Sequence, residues 1–179
     1  MSKARDIARA GTALSSVDAT ELGYLDGVTS SVQTQLNAKA LAASGTLTDA
    51  VVKGLEEDVN VVASVATGTI NFDVETASVW YYTSNASANH TLNFRYNSST
   101  SLSSKLAVGD SITLVWLNTN GATAYYPNTI QIDGSTVTPK VPAAISAGNA
   151  SAIDAYSFTI IKTAATPTYT VLETQTKFA

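Results

Sequence analysis

Ser111-Ile-Thr-Leu-Val-Trp-Leu117, closed by Asn118-Thr-Asn-Gly121, is the stretch that decides the fold. Ile112, Leu114 and Trp116 recur at every second position, which puts them on one face of an extended strand; a helix would need spacings of three and four. The Asn/Gly residues that follow supply turn chemistry. The same period runs through Leu92, Phe94 and Tyr96, with Asn93 and Arg95 facing the other way, and through Tyr156, Phe158 and Ile160, then Tyr169 and Val171. Turn residues at Val108-Gly-Asp110, Tyr126-Pro-Asn128 and Asp133-Gly-Ser135 separate the runs. Strands are expected at 60–66, 69–74, 77–83, 90–96, 111–117, 122–126, 129–132, 155–162 and 168–175. Short strands with frequent turns argue for a mainly β fold, an antiparallel β-sandwich or jelly-roll-like domain over residues 59–179, against any βαβ arrangement.

Upstream of residue 60 the chain changes character: it is Ala-rich and has no Trp or Phe. Asp18-Ala-Thr-Glu21 and Ser30-Ser-Val-Gln33 have capping-box spacing, and Asp26-Gly27 reads as a stop between two short helices. Leu22, Leu25, Val28, Val32 and Leu36 form one narrow apolar stripe. Helices below ~12–15 residues are marginal alone in water, so the stripe needs a partner, and identical chains supply one. The alternative is that these helices pack back on the chain's own β domain. Residues 16–58 are therefore expected as short helices and a connector. Residues 1–15 are mostly polar and small, with Ile7 as the apolar anchor, and are expected to order only on a partner.

Composition removes several function classes. A net charge of -4 with no basic block is no footprint for nucleic acid, where clustered Lys and Arg are needed. No apolar run approaches the ~20 residues of a membrane span. With no Cys and a single His, thiolate and His-rich metal sites are out of reach. His90 has no Gly-x-Ser-x-Gly elbow to work with and reads as a polar strand-edge histidine. Glu56, Glu57 and Asp58 are adjacent, which suits a solvated surface better than a glycosidase pair. Asp73, Glu75 and Asp110 lack the spacing of a calcium loop. No catalytic, cofactor-binding or metal residue is expected. Trp80 and Tyr82 share one strand face and read as core, along with Trp116; Tyr81 on the other face, and Tyr125, are candidates for external contacts, including stacking on sugar rings.

Glu21-Leu-Gly-Tyr-Leu-Asp-Gly-Val-Thr-Ser-Ser-Val-Gln-Thr-Gln-Leu-Asn-Ala-Lys39 resembles a linker that recurs in fibre-like proteins of tailed phages, and Met1-Ser-Lys-Ala-Arg-Asp-Ile7 resembles the start of several of them. Val79-Trp-Tyr-Tyr-Thr-Ser-Asn85, Leu92-Asn-Phe-Arg95, Val108-Gly-Asp-Ser-Ile-Thr113, Leu117-Asn-Thr-Asn-Gly121, Tyr125-Tyr-Pro-Asn128 and Thr174-Gln-Thr-Lys-Phe-Ala179 resemble a domain of virion structural proteins of marine cyanobacterial phages. The resemblance implies a homotrimeric virion part, a fibre or decoration protein, with no catalytic residues to carry over. Lys3, Arg5, Ile7 and Arg9 would then dock on a larger protein of capsid, neck or tail, and the stripe from Leu22 to Leu36 would make the trimer contacts. The β domain would project, with loops at 85–89, 97–104, 118–123 and 142–151 facing outward and a host surface glycan as one external partner. A capsid-cementing protein and a glycan-binding adhesion module are the alternatives.

Overall fold

The computed structural model describes residues 56–178, together with Lys3, Thr20 and Gly54. The chain divides into two compact units, residues 1–53 and 54–179. Leu22, Leu25, Val28, Val32 and Leu36, and the attachment residues Arg5, Ile7 and Arg9, lie outside the described residues; Lys3 is exposed.

The second unit is mainly β. Its strands are β1 (Val59–Val65), β2 (Gly68–Asp73), β3 (Val79–Ser84), β4 (His90–Arg95), β5 (Ser111–Thr119), β6 (Pro127–Ile132), β7 (Ser135–Val137), β8 (Ile153–Ala164) and β9 (Thr168–Phe178), with one helical turn, α1 (Leu102–Lys105), between β4 and β5. They form a five-stranded sheet in the order β1-β3-β5-β8-β9 and a four-stranded sheet in the order β2-β4-β6-β7.

The sheets are mixed, which corrects the antiparallel expectation. β1, β3 and β5 pair in parallel, as do β2, β4 and β6; only β5-β8, β8-β9 and β6-β7 are antiparallel. The reason is where the short connections go. Ala66-Thr67 and the turn at Gly68 (φ 61°) carry the chain from β1 across the core to β2 instead of folding it back beside β1. The first six strands therefore alternate between the two sheets, and within each sheet the three run the same way. Parallel neighbours need a long crossover, and here the crossover contains a strand of the other sheet. The result is a two-sheeted coil whose last turn is closed by the β6-β7 and β8-β9 hairpins.

Parallel pairing stacks like on like. Ile70, Leu92 and Ile130 share one inward row, Phe72, Phe94 and Ile132 the next, and Trp80 pairs with Trp116 in the facing sheet. Trp116, Tyr156, Phe72, Phe94 and Phe158 are fully buried, each contributing roughly 1.5–3 kcal/mol by burial alone. Their rings interlock across the core: Phe94 and Phe158 meet edge-on at 4.9 Å, Phe72 stacks on Trp80 at 5.0 Å, and Tyr82 tilts against Trp116 at 4.6 Å. The core reading of Trp80, Tyr82 and Trp116 holds.

Residues 122–126 are not a strand. The Asn120 side chain takes the place of a neighbouring strand there: its Oδ1 accepts from Tyr125 N at 3.0 Å and its Nδ2 donates to Tyr125 O at 3.0 Å. Asn118 Nδ2 donates to the same carbonyl at 3.1 Å. His90 is likewise no edge residue. β4 lies between β2 and β6, and His90 is 1% exposed, its ring 5.6 Å from Trp116.

Candidate interaction surfaces

The two sheets present opposite chemistry to their surroundings. On the outer face of the four-stranded sheet, Thr69, Thr91 and Thr129 form one row and Asn71, Asn93 and Gln131 another. Asn93 Nδ2 donates to Asn71 Oδ1 at 2.9 Å, Arg95 pairs with Asp73, and Asn97 Nδ2 donates to Glu75 Oε2 at 2.8 Å. This face is polar, charged and internally satisfied.

The outer face of the five-stranded sheet is uncharged, with an apolar patch among Ser and Thr. Val59, Val79 and Val115 occupy one register row, and Val61, Tyr81, Leu117 and Ala155 the next. Ile153 and Phe178 extend the patch at one end and Leu172 on β9 at its margin. The outward positions of all five strands are Val, Ile, Leu, Ala, Ser, Thr, Tyr or Phe, without a single Asp, Glu, Lys or Arg. Val61 is 62% exposed and Phe178 53%. Five strands at about 4.8 Å spacing and nine residues of β5 at about 3.3 Å give roughly 700 Å² of face. As an uncharged face it is close to the ~800 Å² that each partner contributes to a stable interface. Tyr81 lies in the middle of this face.

The ends of the coil also differ. The chain enters β1 at the end that carries residues 74–78, α1 and the turn at 165–167. Residues 85–89, 120–126 and 147–152 and the end of β9 gather at the opposite end. There a groove of about 610 Å³ is lined by Asn85, Thr119, Asn120, Gly121, Ala122, Ser151, Ala152, Ile153 and Phe178. Beneath it lies a buried polar knot. Asp154 Oδ2 accepts from Asn149 N at 2.7 Å and from Asn120 Nδ2 at 3.1 Å, and Asn118 Nδ2 donates to Asn120 Oδ1 at 3.1 Å. Burial pushes the Asp154 carboxyl up, and the Asn149 N–H is the strongest influence against that. The knot ties the loop after β5 to the loop before β8, which fixes the groove's walls.

Tyr125 sits at this end, held by its backbone and half-buried against the core. Of the loops expected to face outward, 85–89, 118–123 and 142–151 have members at this end, but Asn118 and Asn120 point inward into the knot. The loop 97–104 is at the other end, where Leu102 plugs the core; Asp133 accepts from Leu102 N at 2.7 Å and Ser103 N at 2.9 Å.

Sequence reading missed the uncharged outer face. Its signal is present: strands β3 and β5 carry large apolar residues at Val79, Tyr81, Val115 and Leu117, in the positions between the core residues. A strand apolar on both sides is buried on both sides. Among the described residues, no group of three or more His, Asp or Glu is placed to hold a metal ion, and no helix is long and apolar enough to cross a membrane. Comparison with known proteins finds no matching family model, no similar curated protein and no similar solved structure.

Proposed function

We propose that this chain is a structural subunit of a tailed-phage virion, a homotrimeric fibre or decoration protein attached by its N-terminal segment and displaying its β domain. The observation that carries it is the uncharged outer face of the five-stranded sheet. Its occupant is the same face of further copies. A surface without charge fits another without charge, because neither leaves an ion unpaired on burial. Three copies around an axis parallel to the strands bury the face of each against the other two. The polar sheet then faces solvent, the N-terminal segments leave together at one end, and three copies of the Asn85–Phe178 groove are displayed at the other. Grouped grooves multiply weak contacts with a host surface glycan, since a linked second site binds at an effective concentration in the mM range.

Light scattering on the full-length protein tests the assembly. The expected result is a trimer that Leu117→Glu, which puts one carboxylate at the centre of each face, converts to monomer. A wild-type monomer at micromolar concentration, or a trimer indifferent to Leu117→Glu, sinks the sheet-face reading. Electron microscopy of purified particles carrying a labelled copy tests the virion assignment. Many copies spread over the head would favour a cementing role; few copies at the tail, neck or vertices would favour a fibre.

A further inference from the structure

Glu173 lies on the inward side of β9 and is 5% exposed, yet its Oε1 has no hydrogen-bond partner. It borders a cavity of about 450 Å³ between β9, the β6-β7 hairpin and residues 138–145. The last of these segments is strapped to β9 by its backbone: Lys140 N donates to Val171 O at 2.7 Å, and Lys140 O accepts from Glu173 N at 3.0 Å. Lys140 is thereby paired with outward-facing Leu172 and is itself exposed, so its ammonium does not neutralise the acid. Among the described residues the only salt bridge is Asp73–Arg95. The nearby amide donor is also committed, because Gln175 Nε2 donates to Tyr156 OH at 2.9 Å and to Ala147 O at 3.0 Å. Of the other ionisable groups at inward positions of β8 and β9, Tyr156 is kept neutral by burial, Lys177 stands opposite Asp154, and Lys162 Nζ donates to Ser103 O and Leu106 O, so none of them pairs with Glu173. Burial alone pushes the Glu173 carboxyl up to about 7.

A buried carboxylate without a donor is held at a cost that any cation brought to it relieves. The cavity has the size of a small-molecule site, and Ile130, Val137, Pro139, Val141 and Ile145 give it apolar wall beside neutral polar groups from Asn128, Thr129, Thr136 and Thr138, with Glu173 its one carboxyl. We propose that this cavity binds a small organic cation, a primary alkylammonium that donates to the Glu173 carboxylate and lays its apolar chain against Ile130, Val137 and Ile145. A charge-assisted N–H···O bond in a water-poor wall is the strong kind, and a neutral alcohol of the same shape forfeits it.

The test is calorimetric titration and thermal melting of the full-length protein with n-butylammonium chloride at pH 8, with n-butanol and potassium chloride as controls. Butylammonium is expected to bind saturably and raise the melting temperature, while the controls do not. Affinity should weaken on going to pH 6, where a proton competes for the carboxylate. Glu173→Gln should weaken binding by about tenfold or more. Ala144→Trp, which narrows the exposed rim of the cavity and leaves Glu173 in place, should do the same, and it decides the matter if Glu173→Gln does not fold. No saturable binding to the wild type overturns the proposal, and so does undiminished binding to folded Glu173→Gln or Ala144→Trp.

Discussion

His90 and Glu173 are both buried, and burial moves their protonation in opposite senses: the imidazole down to about 4, the carboxyl up to about 7. Each favours its neutral form in the folded chain, and each therefore taxes stability at opposite ends of the pH scale. For His90 the folded pKa is depressed, so stability is intact above the unfolded value near 6.5 and is lost as pH falls toward 4. For Glu173 the folded pKa is raised, so stability is intact below the unfolded value near 4.5 and is lost as pH rises through 7. Over pH 4.5–6.5 the two slopes cancel, and the wild type should show a nearly flat melting profile there. Each group accounts for on the order of 3 kcal/mol between its limits. Glu173→Gln should expose the histidine slope, with stability rising from pH 4 to 6.5; His90→Phe should expose the acid slope, with stability falling from pH 5 to 7.5. Denaturant melts at intervals of pH measure both, and parallel profiles for the two variants would refute the pairing. Neither burial was legible in the sequence. His90 stands among Asn and Ser and reads as a strand-edge residue; Glu173 continues the spacing of Tyr169 and Val171, but a carboxylate by its type signals exposure.

Trp116 marks what was legible at the scale of elements. The period of two located most strands and their inward faces, and Trp116 in β5 is 0% exposed. Trp116→Ala should cost about 3–5 kcal/mol by lost burial and the cavity left behind, read as a shift in denaturant midpoint at unchanged slope. What periodicity cannot give is the neighbour of each strand, because a two-residue connection serves a hairpin and a crossing between sheets equally well. The missing clue is a repeat: Thr69-Ile-Asn-Phe72, Thr91-Leu-Asn-Phe94 and Thr129-Ile-Gln-Ile132 align position for position in β2, β4 and β6. In-register repeats are what parallel rungs require, since each side chain sits above its counterpart. The loops hide a second device. A Cβ at Gly148 would come within 2.4 Å of Tyr125 O, 2.6 Å of Asn120 Nδ2 and 2.8 Å of Asp154 Oδ2. Gly148→Ala should therefore split the polar knot, lowering stability by about 1–3 kcal/mol and loosening the groove above it. Amide exchange at residues 120–126 and 147–152 should rise ahead of the strands, and a uniform rise would locate the damage elsewhere.

For the whole molecule, the proposed virion role and the polarity of the coil together predict a division of tasks between its ends. Deleting residues 2–12 should abolish incorporation into particles while circular dichroism of the β domain is unchanged. Ala122→Trp, placed in the groove at the other end, should leave incorporation intact and alter only external contacts. If the deletion loads normally and Ala122→Trp does not, the groove end is the anchor. The same architecture has a mechanical meaning. β1 begins at one end of the five-stranded sheet and β9 finishes at the other, and these two strands are its outer edges. Tension applied between the start of β1 and the end of β9 therefore runs along the strands and loads the hydrogen bonds between neighbouring strands sideways and together, not one after another as in unzipping. Pulled this way, the domain should yield at high force in one step, with the parallel β1-β3 ladder as the first to slip.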